Sequence, residues 1–439
     1  MSGIGVAMES ESWSDRTRRA AREVLAGRRK GLRALLPFAG PAFIASVAYM
    51  DPGNFATNVQ AGSLFGYRLL WVVVFANITA MLFQALSAKL GIVTGKNLPE
   101  VCRERFSKRT AIGMWIVSEI AAMATDLAEL LGAAIGLALL FHLPLLLGVV
   151  LTALATYAVL LMQSKGFRQV EGLIVALVGV IAVCYVLETV LARPNWGQVA
   201  YHAVVPWLGS PAALVLAVGI IGATVMPHAI YLHSSLTQDR IVPENSAEAG
   251  VIVRFSNIDV LIALGLAGVV NLAMMYMSAA VFHFGGHLEV ASIESAYKTL
   301  SPLLGSAAAS IFLLSLMASG ISSSVVGTMA GQVIMQGFVG FAIPLWVRRV
   351  VTMIPTVVIV AIGVDATHAL VLSQVVLSLV LPLPIVVLLM FTSKRSIMAS
   401  LVNTPTVKIV GILAAALVVF LNVGLLWQTF GLPFPGMTR

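Results

Sequence analysis

The sequence is poor in charge. Only 10% of its 439 residues are Asp, Glu, Lys or Arg while 59% are hydrophobic, giving a mean hydropathy of +0.96; a soluble domain carries about a quarter charged residues, so a water-facing globule is excluded. Cysteine is nearly absent. Cys102 and Cys184 are too few and too widely spaced for a disulfide framework, an iron–sulfur cluster or a Cys-rich zinc site. No cleavable signal peptide is legible either: the first 33 residues are polar and carry Arg16, Arg18, Arg19, Arg22, Arg28, Arg29, Lys30 and Arg33, and Glu9, Glu11, Asp15 and Glu23 argue against a transit peptide. Gly91-x-x-x-Gly95-Lys96-Asn97 is one residue short of a phosphate-binding loop and has Asn where Ser or Thr belongs. HExxH and GxSxG are both missing, so neither nucleotide-driven pumping nor hydrolytic catalysis is expected, and no cofactor.

Long uncharged runs are abundant instead. Leu130–Ser164, Pro194–Gln238, Thr299–Val347, Ala366–Ser393 and Ile409–Thr438 each exceed the roughly 20 residues that cross a bilayer as a helix. The pattern predicts an all-α polytopic membrane protein whose spans lie near 35–60, 67–92, 112–140, 144–162, 170–192, 211–237, 256–282, 303–327, 342–363, 368–391 and 407–430. With the N-terminus inside, 27 basic residues sort so that only Arg68, Arg193, Lys298 and Arg439 fall outside. The net charge of +8 therefore records orientation rather than nucleic-acid binding. The expected layout is a basic cytoplasmic tail (1–34), two five-helix repeats (35–192 and 211–391), an eleventh span (407–430) and an outer C-terminal tail (431–439) in a bacterial inner membrane. Function must reside within the membrane domain.

Two spans carry a proline at mid-depth beside polar residues, at Asp51-Pro52-Gly53-Asn54 and at Met226-Pro227-His228. Proline removes a backbone donor, clashes with the preceding turn and disfavours helix at the residue before it. Each break alone has a plain-kink alternative. Their matching positions in the two repeats point instead to an inverted-repeat transporter with its site at the breaks. Asp51 at that depth needs a cation, a proton or a wet cavity. Asn54 offers an amide to the same side, the unwound turns offer carbonyls, best from Ala48 and Ala223, and Met226 offers a soft thioether unless it merely packs. That mixture suits first-row transition metals such as Mn²⁺ or Fe²⁺ better than Mg²⁺ or Ca²⁺.

Glu119, Asp126 and Glu129 share one side of the third span, with Asp126 and Glu129 at about −20° and −80° from Glu119 around the helix. This predicts a proton route, pairing with Arg348 and Arg349, or both. His228 is read as a titrating neighbour of the site and His233 as a hydrogen-bonded core residue. With Asp51, these three carboxylates are the four acidic residues expected deep in the spans. The Ser322-Ser323-Ser324 run is read as helix packing.

The two break motifs, Met123–Glu129 (MATDLAE) and Gly327–Phe338 (GTMAGQVIMQGF) resemble the Nramp family from about Pro37 to Trp427, most of all its bacterial manganese-transporting members. The resemblance implies a LeuT-like fold and proton-coupled import of divalent metal by alternating access. It implies metal ligation by Asp51, Asn54, Met226 and the Ala48 and Ala223 carbonyls, with Gln374 joining in some conformations. It also implies a proton path through Asp51, His228, Asp126, Glu129 and the arginines of the ninth span. An amino-acid transporter of the same fold is the alternative, which an Asp at the first break disfavours; a passive cation channel is a third reading. The expected partners are the metal ion, protons and the lipid bilayer, with oligomeric state open.

Overall fold

The computed structural model describes residues 13–29, 31–163, 167–287, 290, 292–341 and 343–430. Among these every regular element is helical: α1 (Trp13–Leu25), α2 (Pro41–Val47), α3 (Pro52–Phe65), α4 (Leu70–Thr94), α5 (Leu98–Arg105), α6 (Lys108–Phe141), α7 (Leu145–Gln163), α8 (Phe167–Ala192), α9 (Trp196–Val204), α10 (Pro211–Thr224), α11 (Pro227–Gln238), α12 (Ser246–Ser278), α13 (Ile293–Leu304), α14 (Ser306–Val339), α15 (Leu345–Ala361), α16 (Ala366–Val380), α17 (Pro382–Thr392), α18 (Arg395–Met398) and α19 (Pro405–Thr429). Residues 1–12 of the basic tail, Lys165 and the C-terminal tail 431–439 lie outside the described residues.

Helices occupy all eleven segments expected to span, the first as α2 with α3, the sixth as α10 with α11 and the tenth as α16 with α17. Eight helical stretches among the described residues are long and apolar enough to cross a membrane. The difference of three has local causes: α3 runs on into α4 through the tight turn Gly66–Leu69, the apolar stretch Leu145–Leu161 of α7 is short, and α15 has only 17 residues, with Arg348 and Arg349 near its start. The N-terminal tail contains an element of its own. Ala21 and Val24 of α1 pack against Phe38, Ile92 and Ile252, and Arg22 pairs with Glu248 at 3.0 Å.

Burial sorts the helices into a centre and a rim. The stretch Pro211–Gln238 is enclosed almost completely, whereas Gly172–Ala192 and Pro405–Thr429 turn much of their apolar surface outward, as lipid-facing helices do. Around the centre, α14 lies along α6, α4 lies against α11 and α12, and α10 lies against α16.

Prolines interrupt these central spans at three places, and Pro52, Pro227 and Pro382 each deprive the carbonyl four residues earlier of its helical donor. Before Pro52 and Pro227 the chain leaves helical geometry: Asp51 (φ −78°, ψ 169°) and Met226 (φ −74°, ψ 123°) are extended. Before Pro382 it does not. Leu381 stays helical (φ −51°, ψ −38°), and the orphaned carbonyl of Ser378 accepts a hydrogen bond from Asn422 Nδ2 of α19 at 2.6 Å. The tenth span therefore carries a silent interruption, repaired from a neighbouring helix.

Candidate functional site

The two breaks meet. Asp51 ends the first half of its span and caps the second, its Oδ1 accepting from the backbone N–H of Asn54 at 2.9 Å. The same oxygen accepts from Asn54 Nδ2 at 2.8 Å, and that nitrogen donates also to the carbonyl of Ala223 at 2.9 Å. Ala223 is the residue whose helical donor Pro227 removes. Asn54 Oδ1 is held by Thr224 Oγ1 at 3.1 Å. One amide thus bridges a carboxylate in the first break and a freed carbonyl in the second, while Asp51 Oδ2 is buried without a partner. Two further carbonyls of the first turn are taken by side chains across the bundle, Tyr49 O by Asn271 Nδ2 (2.7 Å) and Met50 O by Ser319 Oγ (2.5 Å).

Met226 is fully buried at the start of α11 and gives that helix no side-chain cap. Gln374 of α16 sits between the broken spans. Its side chain lies where a Cβ at Gly53 would fall, its backbone carbonyl where a Cβ at Gly222 would fall, and its Oε1 is buried without a partner. Only glycine at both positions allows this approach. Asp51, Asn54, Ala48, Ala223, Met226 and Gln374 are all at 0% exposure, so the site is closed to both sides.

Beside it, α6 presents polar groups to two neighbours. Thr125 Oγ1 is 3.0 Å from His228 Nδ1, and His228 Nε2 has no partner. Asp126 pairs with Arg349 at 3.2 Å, and Arg349 also donates to Thr328 Oγ1 at 3.0 Å and to Ser324 Oγ. Glu119 pairs with Arg348 at 3.1 Å. Glu129 is buried with both carboxyl oxygens unpartnered, within electrostatic range of Asp126, Arg349 and Asp51. His233 bonds Gln84 at 2.7 Å, and Gln84 bonds the Tyr49 hydroxyl. No group of three or more His, Cys, Asp or Glu among the described residues could hold a metal ion. Any metal at the breaks would meet the mixed carboxylate, amide, carbonyl and thioether donors instead.

A family model described as natural resistance-associated macrophage protein-like matches residues 42–428. The chain belongs to the Nramp family. It is 59% identical to a divalent metal cation transporter MntH of Verminephrobacter eiseniae, over 98% of this chain and 97% of that one. Among solved structures it is similar to the manganese transporter of Eremococcus coleocola, with a TM-score of 0.82 and 39% identity over 92% of this chain and 90% of that one. MhsT in complex with L-phenylalanine, at 13% identity and a TM-score of 0.56 over 87% of this chain and 98% of that one, shares the fold alone. The fold is LeuT-like, two five-helix inverted repeats and an eleventh helix with the first and sixth spans broken, and the Nramp relatives are named as transporters, not enzymes.

Several partners in this Nramp chain escaped the sequence reading. Thr224 and Thr125 hold the site amide and His228; Thr224 stands two residues before Met226, and Thr125 lies inside the Met123–Glu129 motif without having been given a role. Ser324 turns out to bind Arg349 rather than only to pack. The count of four deep carboxylates needs correction. Asp259 of α12 is also buried and accepts from the backbone N–H groups of Gly40 and Ala42 (3.3 and 3.0 Å), capping α2, and Glu188 of α8 is buried too. A charge within an apolar run was the signal in each case; nearness to the span ends masked it.

Proposed function

We propose that this Nramp member is a secondary transporter that imports divalent transition-metal ions, Mn²⁺ and with it Fe²⁺, with proton coupling and by alternating access. The observation that carries the reading is the Asp51 carboxylate, buried at the meeting of two helix breaks with one oxygen unpartnered and the other tied through an amide to the Ala223 carbonyl. An intramembrane carboxylate of this kind is costly unless it meets a cation or a proton. Asp51, Asn54, Met226 and the carbonyls of Ala48 and Ala223 hold the ion, and Gln374 joins them in part of the cycle. The amide NH₂ that bridges Asp51 and Ala223 stands between the oxygens a cation would use. Metal takes its place as Asn54 rotates to offer Oδ1, releasing Thr224.

Protons travel by Asp51 and His228 and along α6 through Asp126, Glu129 and Glu119, with Arg348 and Arg349 as fixed counter-charges. Unpartnered buried carboxyls such as Glu129 serve as proton relays in membrane pumps and transporters. A site closed on both sides fits a cycle in which either face opens in turn. The naming of similar chains as divalent metal cation or manganese transporters supports the choice of cargo. By the distribution of Lys and Arg, the N-terminus is cytoplasmic and the C-terminus outside, in a bacterial inner membrane.

The test is Mn²⁺ uptake by purified protein in liposomes with and without an inward proton gradient. Uptake that rises with the gradient, with acidification of the lumen, is expected. Uptake no greater than in empty vesicles would overturn the assignment, and gradient-independent uptake would remove the proton.

A further inference from the structure

The last stretch of the chain carries charge of one sign only. From Ala366 to Arg439 there is no Asp or Glu, and the turn region between α17 and α19 holds Lys394, Arg395 and Lys408. Four surface cations elsewhere do have carboxylate partners: Arg22 with Glu248, Arg29 with Glu23, Lys96 with Glu104 and Lys298 with Glu294. Among the described residues Lys394, Arg395 and Lys408 make no ion pair, and all three are exposed.

Two of these lysines close one end of a groove of about 600 Å³ between α17 and α19. Its floor is low because Leu389 and Ala415 are buried and Ala416 is small; Val386, Ile412 and Val419 form exposed apolar sides. The charged end is built rather than loose. Asn403 donates to Thr392 Oγ1 at 2.8 Å and to Ser393 Oγ at 3.3 Å, its own backbone N–H reaches Thr392 O at 3.0 Å, and Lys89 of α4 binds its side-chain oxygen. Thr404 caps the helix that carries Lys408. The groove is thus apolar along the membrane and cationic at its mouth, with Ser393 as a hydroxyl donor.

We propose that this groove binds an anionic glycerophospholipid of the leaflet that faces the α17–α19 turn, the cytoplasmic one by the Lys and Arg distribution. The acyl chains lie along Val386, Leu389, Ile412 and Val419, and the phosphate and its anionic headgroup sit between Lys394 and Lys408. Basic pockets between transmembrane helices at this level recognise anionic lipid headgroups, and each lysine near the surface strengthens the attraction about fivefold. The lipid would fasten α19 to α17, the half of the tenth span that follows Pro382. No acidic residue in this segment could do so from within the chain.

Native mass spectrometry of the intact transporter tests the proposal after incubation with equal amounts of phosphatidylglycerol and phosphatidylcholine. The wild type is expected to retain phosphatidylglycerol preferentially. In Lys394→Gln/Lys408→Gln the preference falls by about 25-fold, from the two lysine contributions together. Ala416→Trp, which fills the groove and leaves the charges intact, loses both lipids. Equal retention of the two lipids by the wild type overturns the proposal, and so does an unchanged preference in the double variant. A dimer in the same spectra, crosslinked through Ala416→Cys and free of lipid, would assign the face to a second copy of the chain. The readout is binding, so it stands apart from whether Mn²⁺ is transported.

Discussion

At Asp51-Pro52 and at Met226-Pro227 the backbone does the same thing: an extended residue, a proline, and a new helix beginning at the proline. The side chains differ. Asp51 closes the N-terminus of its new helix and carries a charge, while the Met226 thioether gives α11 no cap. The third interruption, Leu381-Pro382, stays helical, with its freed Ser378 carbonyl taken by Asn422. Proline alone therefore does not make a site. The freed carbonyls differ: the one at Ser378 is repaired by a neighbouring span, whereas at Ala223 the only side-chain donor among the described residues is Asn54, itself part of the opposite break. The first break presents a carboxyl and the second a thioether, and Asn54 ties the two breaks together.

The largest expected effect separates charge from cap. Asp51→Ala and Asp51→Asn should each reduce Mn²⁺ uptake by about 100-fold or more, since neutral ligands do not balance a divalent ion in a low-dielectric cavity. Asn remains a good N-cap, so only the alanine variant should also lose about 1 kcal/mol of thermal stability. If Asp51→Asn transports normally, the charge is not what the first break contributes.

Next in size is the packing that brings the breaks together. Gly222→Val drives a side chain into the Gln374 backbone and should destabilise the protein by about 3 kcal/mol in a thermal-shift measurement, at the upper end of overpacking costs. An unchanged melting temperature would mean that α10 and α16 are free to separate. Asn422→Leu should cost about 2 kcal/mol by leaving Ser378 O unpaired, with uptake per folded molecule unchanged. Altered ion preference in that variant would make the silent interruption a functional one.

Met226 gives the smallest and most specific effects. Met226→Ala should shift preference toward Ca²⁺ and Mg²⁺ by about tenfold while retaining some Mn²⁺ uptake, as loss of a soft ligand favours hard ions relatively. Competition assays read this directly. Met226→Ser should show the same shift yet be about 1 kcal/mol more stable than Met226→Ala, because serine caps α11. A serine variant with wild-type selectivity would return Met226 to a packing role.

Much of the candidate site could be read along the chain because membrane depth makes exceptions conspicuous. Asp51, Asp126 and Glu129 stood out as charges in apolar runs, and Pro52 and Pro227 as breakers beside polar residues. The Ala48 and Ala223 carbonyls followed from proline geometry. Asp259 and Glu188 carry the same signal but lie near span ends, where a charge has an easy solvated alternative. Pro382 carried a breaker's signal too, and its silence depends on Asn422, far away in sequence. The pairing of Asp126 with Arg349 rather than Arg348 was likewise open, since adjacent residues on a helix point in different directions.

The sequence by itself determined that this chain lives in a bilayer, where its helices lie, which two of them break and which side chains stand at the breaks. Those properties are local or one-dimensional: hydropathy along the chain, the missing N–H of proline, a charge with no water beside it. Only the tertiary structure decided that Asn54 joins Asp51 to Ala223, that Gln374 is wedged against Gly53 and Gly222, and that Asn422 repairs the third break. Each of these depends on which helix lies against which, and in a chain whose spans are almost uniformly apolar, hydropathy does not distinguish one neighbour from another. Close approach at glycine and the obligation to satisfy freed backbone groups do.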